Sequence, residues 1–548
     1  MIISKTNDGK NIYLSWREGE EKKAELKPFR PYFYVLDTEK EIPKYNASKY
    51  IVRDFTYEKG DWINLDNEPL KRVYVENAFD IKKAQNYFIR TFEADVPYHF
   101  RYSVDSINEM PEYKMRKWYW DMEWQQGGEY HDCITTIVMY DNYDEEYYQW
   151  VWFPNYDDSL EGKDIKDFDK FIFNSEKDML ESFMTTMVNK DPDMLIAWFG
   201  NFADVPKLLD RVCKLGLNPL VMSPIASIKG VKKVEDGFRF AYAENGFSPI
   251  EQPIGGRITL SLETAFERQW NDSQRGTLPS LSLDYIGETV LGKNKLESEK
   301  FADKNEFYRK GWLQDTETYL QYALKDVELI VEIDETNFCS EAILSLQRLL
   351  KAPFDACFYA SHMGSIYFMR NAWWKAPTGT KVEKRVTYEG AMIYDPLSEN
   401  TNGLHLGVAA FDYSGLYPSM IVARNISWET ISDEPTEFAV NILTPRDFSE
   451  TNREEMVYFK TDKLGLLPKA VLDLKELRTE YKNLMREARE TDNGEYAKWY
   501  NNQMAVKRLS ASFYGILAFQ GFGWANVSLA ASITASAREA IRLAAFKA

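Results

Sequence analysis

Cysteine and histidine are scarce in this sequence: four of each are spread over 548 residues. Cys133, Cys213, Cys339 and Cys357 lie far apart, with neither zinc-ligand spacing nor a paired framework. That excludes a zinc-ribbon or disulfide-stapled design and makes a reducing compartment the default. No run of about 18 apolar residues occurs, which excludes a transmembrane helix of the hydropathic kind. The opening residues MIISKTNDGK lack the apolar core of a signal peptide, so a cytoplasmic protein with no membrane partner is expected. Positive charge is short as well, with 67 Lys and Arg against 85 Asp and Glu and a net charge of −18. That balance argues against nucleic acid as a partner of the whole surface. Its distribution is uneven, since Met456 to Ala548 carries 14 basic and 9 acidic residues. A basic stretch on an acidic body suits a local nucleic-acid track weakened by salt, and it suits chance too.

What is present is apolar and aromatic: 44% of the residues are hydrophobic and 15% are Phe, Trp or Tyr. The length suggests roughly three to four domains with ample core. Neither a repeat nor a low-complexity tract interrupts the chain. PYFYVL (31–36) and RVYVEN (72–77) read as strands, and DIKKAQNYFIRTF (80–92) as a helix capped by Asp80. KWYWDMEW (117–124) alternates as a strand does, which points Asp121 and Glu123 to one side. LIAWFGNFADVPKLLDR (195–211) reads as an apolar strand, a Gly-Asn loop and a helix opening near Asp204. TETYLQYALKDVELIVEI (316–333) is an amphipathic helix on which Tyr322 and Asp326, four apart, share a face.

Four carboxylates thus recur at element ends and faces: Asp121, Glu123, Asp204 and Asp326. Oxygen ligands suit hard divalent cations, and two such ions can activate water and stabilise the leaving oxygen of a phosphodiester. Each fragment alone also has a plain reading: a solvated acidic edge strand, an N-cap and a surface Tyr–Asp pair. Farther on, VAAFDYSGLYPSMI (408–421) reads as a short buried strand ending at Asp412, then a turn into a helix that brings Tyr417. An ionised carboxylate after four apolar residues is costly unless a cation or donors meet it. The stretch from Pro468 to Glu490 is a helix with an apolar stripe and a second stripe of Arg478, Lys482, Arg486 and Arg489. A solvated face explains that stripe, and so does a polyanionic ligand. Lys507, Ala511 and Tyr514 then share one face of another helix, followed by Gly515.

The string DYSGLYPS resembles motif A of the family B DNA polymerases. Asp121 with Glu123, Asp204, and Tyr322 with Asp326 are similar to the three motifs of that family's 3′→5′ exonuclease. TYEGA (387–391) resembles its Y-x-G-G/A motif, Arg478 and Lys482 its R-x-x-x-K pattern, and KRLSASFYG (507–515) its motif B. The likeness covers nearly the whole chain in order. It implies an α/β fold with a ribonuclease H-like exonuclease domain, an α/β N-terminal domain, a partial palm and helical fingers. The implied boundaries are 1–105 for the N-terminal domain with a return at 336–385, and 106–335 for the exonuclease. They continue with 386–455 for the palm, 456–525 for the fingers, and 526–548 for the start of a palm return.

The resemblance further implies Mg²⁺ or Mn²⁺, two ions per site, held by Asp121, Glu123, Asp204 and Asp326 in one site and by Asp412 in the other, with Tyr322 catalytic beside the first. It assigns Tyr417, Arg478, Lys482, Lys507, Tyr514 and Gly515 to the incoming dNTP, with Tyr417 excluding ribose, and Tyr388, Gly390 and Ala391 to primer-template DNA. The exonuclease substrate would be a single-stranded DNA 3′ end. Four departures are visible: Phe199 replaces the usual Asn of the second exonuclease motif, Ala203 its aromatic, Gly415 a Ser and Ala511 an Asn. After Gly515 the only acidic residue is Glu539, so the family's second palm carboxylate strand, motif C, and its thumb are expected on a second polypeptide. That expectation fits a split, phage-type enzyme in a bacterial or phage-infected cell. Two other functions compete: a stand-alone exonuclease with a vestigial palm, and a non-catalytic primer-template binder. The exonuclease carboxylates weigh against the binder, and the triphosphate cations against the stand-alone nuclease.

Overall fold

The computed structural model describes residues 1–548 except 42–54, 155–168, 242–245, 273–275, 302, 380–387, 391, 393–403, 405, 410–411, 445–452, 493, 520 and 548. They fall into two compact units, one of Met1–Phe29 with Asp105–Phe358 and one of Arg30–Val104 with Tyr359–Ala548. The stretch 1–105, expected as one domain, is therefore divided between them. Its first 28 residues form an antiparallel three-stranded sheet, Ile2–Lys5, Asn11–Glu18 and Glu21–Pro28, which belongs to the first unit. The buried ion pair of Arg17 with Asp193, 2.5 Å, ties it there.

The first unit is built on a six-stranded sheet. Lys117–Trp124, Ile134–Asp141 and Glu146–Trp152 form an antiparallel meander, and Met194–Ala197 and Ile258–Ser261 continue from Lys117–Trp124 in parallel. Asp169–Phe173 closes the other edge. This is the ribonuclease H order expected from the sequence. Alternation along Lys117–Trp124 explains the layering. Trp118, Trp120 and Met122 are buried in the apolar core with Trp150 and Phe183. Tyr119, Asp121 and Glu123 face the other way, where the helix Thr316–Asn337 packs. The Tyr119 hydroxyl donates to Asp334 Oδ2 at 2.8 Å. Four strand residues span about 13 Å and eight helix residues about 12 Å. A helix antiparallel to the strand and pinned at Tyr119–Asp334 therefore brings Asp326 level with Glu123.

In the second unit, Thr56–Ile63, Pro69–Tyr74, Tyr32–Leu36 and Thr91–Phe92 form an antiparallel sheet in that order. One face packs Phe33, Val35 and Val73 against Ile81 and Phe88. The helix expected over 80–92 is only a short coil of turns. Ala78–Asp80 and Gln85–Tyr87 are 3-10 helical around a four-residue α-helix, Ile81–Ala84; Asp80 stands at the N-cap of that helix without a side-chain bond, and Asn77 caps the 3-10 turn before it, accepting from the Phe79 N–H. The sheet claims Thr91–Phe92, so the chain leaves the helix early.

The long helices Leu466–Thr491 and Tyr496–Leu517 pair with each other, and Tyr496–Leu517 also packs on Ala360–Asn371. Phe368 and Phe513, with ring centroids 5.0 Å apart, join that helix to the Trp428–Trp524 cluster. Of the strand expected before Asp412, the described residues Val408 and Ala409 have no regular structure, Val408 is 74% exposed and Asp412 is exposed, and Ala410 and Phe411 lie outside the described residues. Among the described residues no strand pairs with Val408 or Ala409. The apolar surface expected at Ile533, Ile541, Leu543 and Phe546 is smaller than read. Ile533 is buried and Ile541 half-buried, which leaves Leu543 and Phe546 exposed. No helix among the described residues is long and apolar enough to cross a membrane.

Phe183 touches Trp118, Trp120 and Trp150 and is wholly buried. Phe183→Ala should destabilise the first unit by about 3–5 kcal/mol, the usual range for emptying an aromatic core site. Denaturant unfolding followed by Trp fluorescence measures it, and a change under about 1 kcal/mol would contradict the packing role.

Candidate functional site

Three carboxylates meet where the strand Lys117–Trp124 crosses the helix Thr316–Asn337. Oxygens of Asp121, Glu123 and Asp326 all lie within 4.8 Å of one another. Asp204, the first residue of the helix Asp204–Lys214, lines the same cavity of about 480 Å³. It does not act as the N-cap; Ala203 occupies that position without a side-chain bond. Asp204 and Asp326 are buried, and Asp121 and Glu123 half-buried. The structure thus brings together all four carboxylates and Tyr322, which lie 205 residues apart in sequence at their extremes.

Sequence reading missed Lys295. Its ammonium donates to Asp326 Oδ2 at 2.5 Å and to the Tyr322 hydroxyl at 3.0 Å. Tyr322 in turn lies 3.4 Å from the Tyr308 hydroxyl. The segment around Lys295 has no regular secondary structure, so no periodicity marked it; its backbone N–H is held by Asp284 Oδ1 at 2.8 Å.

One ammonium cannot balance four clustered carboxylates, two of them buried and two half-buried. Burial, then the charges of Asp204, Asp326 and Glu123, push Asp121 well above the usual carboxylate range, against the pull of Lys295. Burial and then Asp326 push Glu123 up to about 8. Burial takes Asp204 to about 7. Asp326 is raised by burial despite Lys295. Burial works against the Lys295 charge, yet Asp326 and Asp121 raise its pKa overall. Asp326 Oδ1 is buried and accepts no hydrogen bond among the described residues. An orphan carboxylate oxygen inside a cluster of like charges is the chemistry of a divalent-cation site with oxygen ligands.

The second group of expected residues lies in the other unit. Tyr417 opens the helix Leu416–Ala423 behind Gly415, whose φ of +74° a side chain would strain. The Tyr417 ring stacks on Tyr514 at 4.3 Å between centroids, and the Tyr514 and Tyr388 hydroxyls are 3.0 Å apart. Arg538 holds the Tyr388 loop, donating to the carbonyls of Glu389 at 2.8 Å and Gly390 at 2.6 Å, and Thr534 donates to the former as well. Arg538 and Thr534 were not read from the sequence, since a helical Arg carries no mark of its partner. Ala391 lies outside the described residues.

Arg478 and Lys482 on one long helix crowd Lys507 on its neighbour. The Lys482 pKa is lowered first by Arg478, then by burial, Arg486 and Lys507. No carboxylate pairs with Arg478, Lys482 or Lys507 among the described residues; Arg478 Nε instead donates to Gln503 Oε1 at 3.3 Å. Asp412 is exposed and no other acidic group joins it in a metal-holding cluster among the described residues.

The raised carboxylates give a signed pH dependence. Between about pH 4.5 and pH 8 the folded state keeps protons on Glu123 and Asp204 that the unfolded state releases. The protein free of divalent ions should therefore lose stability as pH rises through that window. Millimolar Mg²⁺ or Mn²⁺ should raise the melting temperature more at about pH 8 than at about pH 5. Calorimetry at both values tests this, and equal shifts would contradict it.

Two family models match this chain. That of DNA polymerase family B matches residues 361–545, and that of the DNA polymerase family B exonuclease domain matches residues 148–285. The chain is 25% identical over 566 residues to a DNA polymerase of Pyrococcus glycovorans, covering 98% of this chain and 66% of that protein. It is 27% identical over 466 residues to one of Thermococcus litoralis, covering 78% of this chain and 25% of the relative. The chain spans about two thirds of the length of the Pyrococcus glycovorans relative. The fold also matches the solved family B DNA polymerase of the hyperthermophilic archaeon Pyrobaculum calidifontis, with a TM-score of 0.70, 18% identity, and coverage of 100% of this chain and 71% of the other. The polymerase model and the exonuclease model thus each match this chain in its own region, and over its full length the chain shares the fold of that solved family B DNA polymerase.

Proposed function

We propose that this chain carries the 3′→5′ proofreading exonuclease and the nucleotide-binding part of a DNA-directed DNA polymerase. The observation that carries the reading is the convergence of Asp121, Glu123, Asp204 and Asp326 in one cavity with Tyr322 and Lys295. These carboxylates would hold Mg²⁺ or Mn²⁺, two ions in all. Bound there, the ions would supply an activated water and charge for the leaving oxygen of the 3′-terminal phosphodiester. Lys295 orients Tyr322 and Asp326 from one ammonium. The Tyr322 hydroxyl, shielded by burial from ionising, remains a hydrogen-bond donor toward a phosphate oxygen.

In the second unit, Arg478, Lys482 and Lys507 would bind the triphosphate of a dNTP, and mutual repulsion among them makes an anion welcome. Tyr417, fixed on Tyr514, would meet a ribose 2′-hydroxyl. Tyr388 and Gly390, held by Arg538, would face primer-template DNA, with Ala391 beside them. Asp412 would give one metal-binding carboxylate of the polymerase site. Two-metal nucleotidyl transfer takes carboxylates from a second strand too. The relatives are longer than this chain, and that strand would come from a continuation of the chain or from a second polypeptide.

Asp121→Ala with Glu123→Ala should abolish metal-dependent shortening of a 5′-labelled single strand while leaving the melting profile folded. A wild-type protein with no such activity on any single strand would refute the nuclease reading. Primer extension by these 548 residues alone should fail; robust templated synthesis would overturn the need for a further carboxylate strand. Once a polymerising assembly is available, Tyr417→Ala should raise ribonucleotide insertion by at least roughly tenfold, about 1.4 kcal/mol of lost discrimination. Unchanged sugar selectivity would remove Tyr417 from that role.

A further inference from the structure

The loop Trp198–Ala203, between the strand Met194–Ala197 and the helix Asp204–Lys214, presents two aromatic rings to solvent. Phe199 is 40% exposed and Phe202 59%. Phe199 lines the carboxylate cavity together with Trp124 and Tyr308. The loop is held from behind. Asn201 is fully buried and its Nδ2 donates to the carbonyls of Ser248, Pro249 and Glu251 at 3.3, 3.0 and 2.8 Å. Its backbone carbonyl accepts from Phe247 and its N–H donates to Ser261 Oγ. Trp198 is anchored through its indole N–H to the Leu281 carbonyl at 2.9 Å. The Phe199 carbonyl takes the N–H groups of Phe202 and Ala203, both at 2.8 Å, closing a tight turn.

This arrangement leaves the cavity with few means of gripping a strand. The one asparagine of the loop is spent on the backbone behind it. Both lysines of the cavity are already paired: Lys295 with Asp326 at 2.5 Å, and Lys304 with Glu297 at 2.8 Å. Besides the exposed side chain of Gln126, the cavity is lined by the Phe199 ring on a hydrogen-bonded turn. Every base has a π-face, so such a platform binds single strands without regard to sequence.

Resting on the exonuclease reading, we infer that Phe199 is the stacking platform for the base of the 3′-terminal nucleotide, and that this site grips its strand by base stacking in place of a polar side-chain contact. The base lies on the Phe199 ring while its phosphodiester reaches the carboxylates. The hydrogen-bonded turn fixes the backbone that carries Phe199, so no loop has to be ordered on binding.

The test compares single-stranded oligodeoxythymidine with the same strand ending in an abasic 3′ nucleotide, in Mg²⁺. Wild-type kcat/KM should be lower on the abasic strand by about 5- to 100-fold, the usual worth of one stacked base. Phe199→Ala should raise KM on the natural strand by a similar factor, hold kcat within about threefold, and reduce the discrimination to about twofold or less. Phe199→Trp should restore both. Phe199→Ala discriminating as wild type does would overturn the stacking role while the nuclease reading stands. Failure of wild type to shorten either strand would overturn the nuclease reading and the inference with it.

Discussion

Four carboxylates and one ammonium share a cavity floor, and the rest of the first unit is arranged to keep them there. Buried like charges repel and are poorly solvated. The fold resists that with an apolar layer of Trp118, Trp120, Trp150 and Phe183 on the far side of the strand and a long helix on the near side. The Tyr119–Asp334 bond fixes the helix along the strand, and Lys295 removes part of the repulsion from outside both elements. The remaining charge imbalance is of the kind that a divalent cation with oxygen ligands would relieve. A cation bound by the folded cluster and not by the unfolded chain would stabilise the fold by mass action.

The second unit shows the opposite electrostatic sign. Arg478, Lys482 and Lys507 approach one another from two paired helices, and their mutual repulsion suits a polyanion. The aromatic block of Phe368, Phe513, Trp428 and Trp524 holds one of those helices at its base. Tyr388, Tyr514 and Tyr417 form a chain of ring and hydroxyl contacts beside it, and Arg538 and Thr534 hold the backbone that carries Tyr388. The two units thus cluster charge of opposite sign, a surplus of carboxylates in one and a surplus of cations in the other.

The four departures from family pattern have different physical weight. Gly415 suits its place, since the residue before the helix Leu416–Ala423 has φ of +74°. Ala511 is exposed on its helix and removes a polar group without disturbing the core. Phe199 and Ala203 matter more, because they alter which side chains meet the carboxylate cavity. The buried Asn201 cannot substitute for a polar contact there while its amide donates to three carbonyls.

The strand Lys117–Trp124 and the helix Thr316–Asn337 were legible in the sequence because each carries its own period, two for the strand and four for Tyr322–Asp326. The order of the motifs also pointed to the mixed α/β fold that the chain shares with a solved family B DNA polymerase. Local pattern could not tell that the helix opening at Asp80 stops after Ala84, because the sheet takes Thr91 and Phe92 through pairing with Val35 and Tyr34. Nor could it tell that Val408 stays exposed, since burial of a strand depends on a neighbour elsewhere in the chain. Lys295, Arg538 and the burial of Asn201 were likewise invisible: each acts through partners tens to hundreds of residues away, and a lone residue carries no periodicity to reveal them. The sequence by itself determined which residue types stand at the ends and faces of its elements. Tertiary structure alone decided which charges meet, because Coulomb and hydrogen-bond energies depend on separation in space and not on separation along the chain.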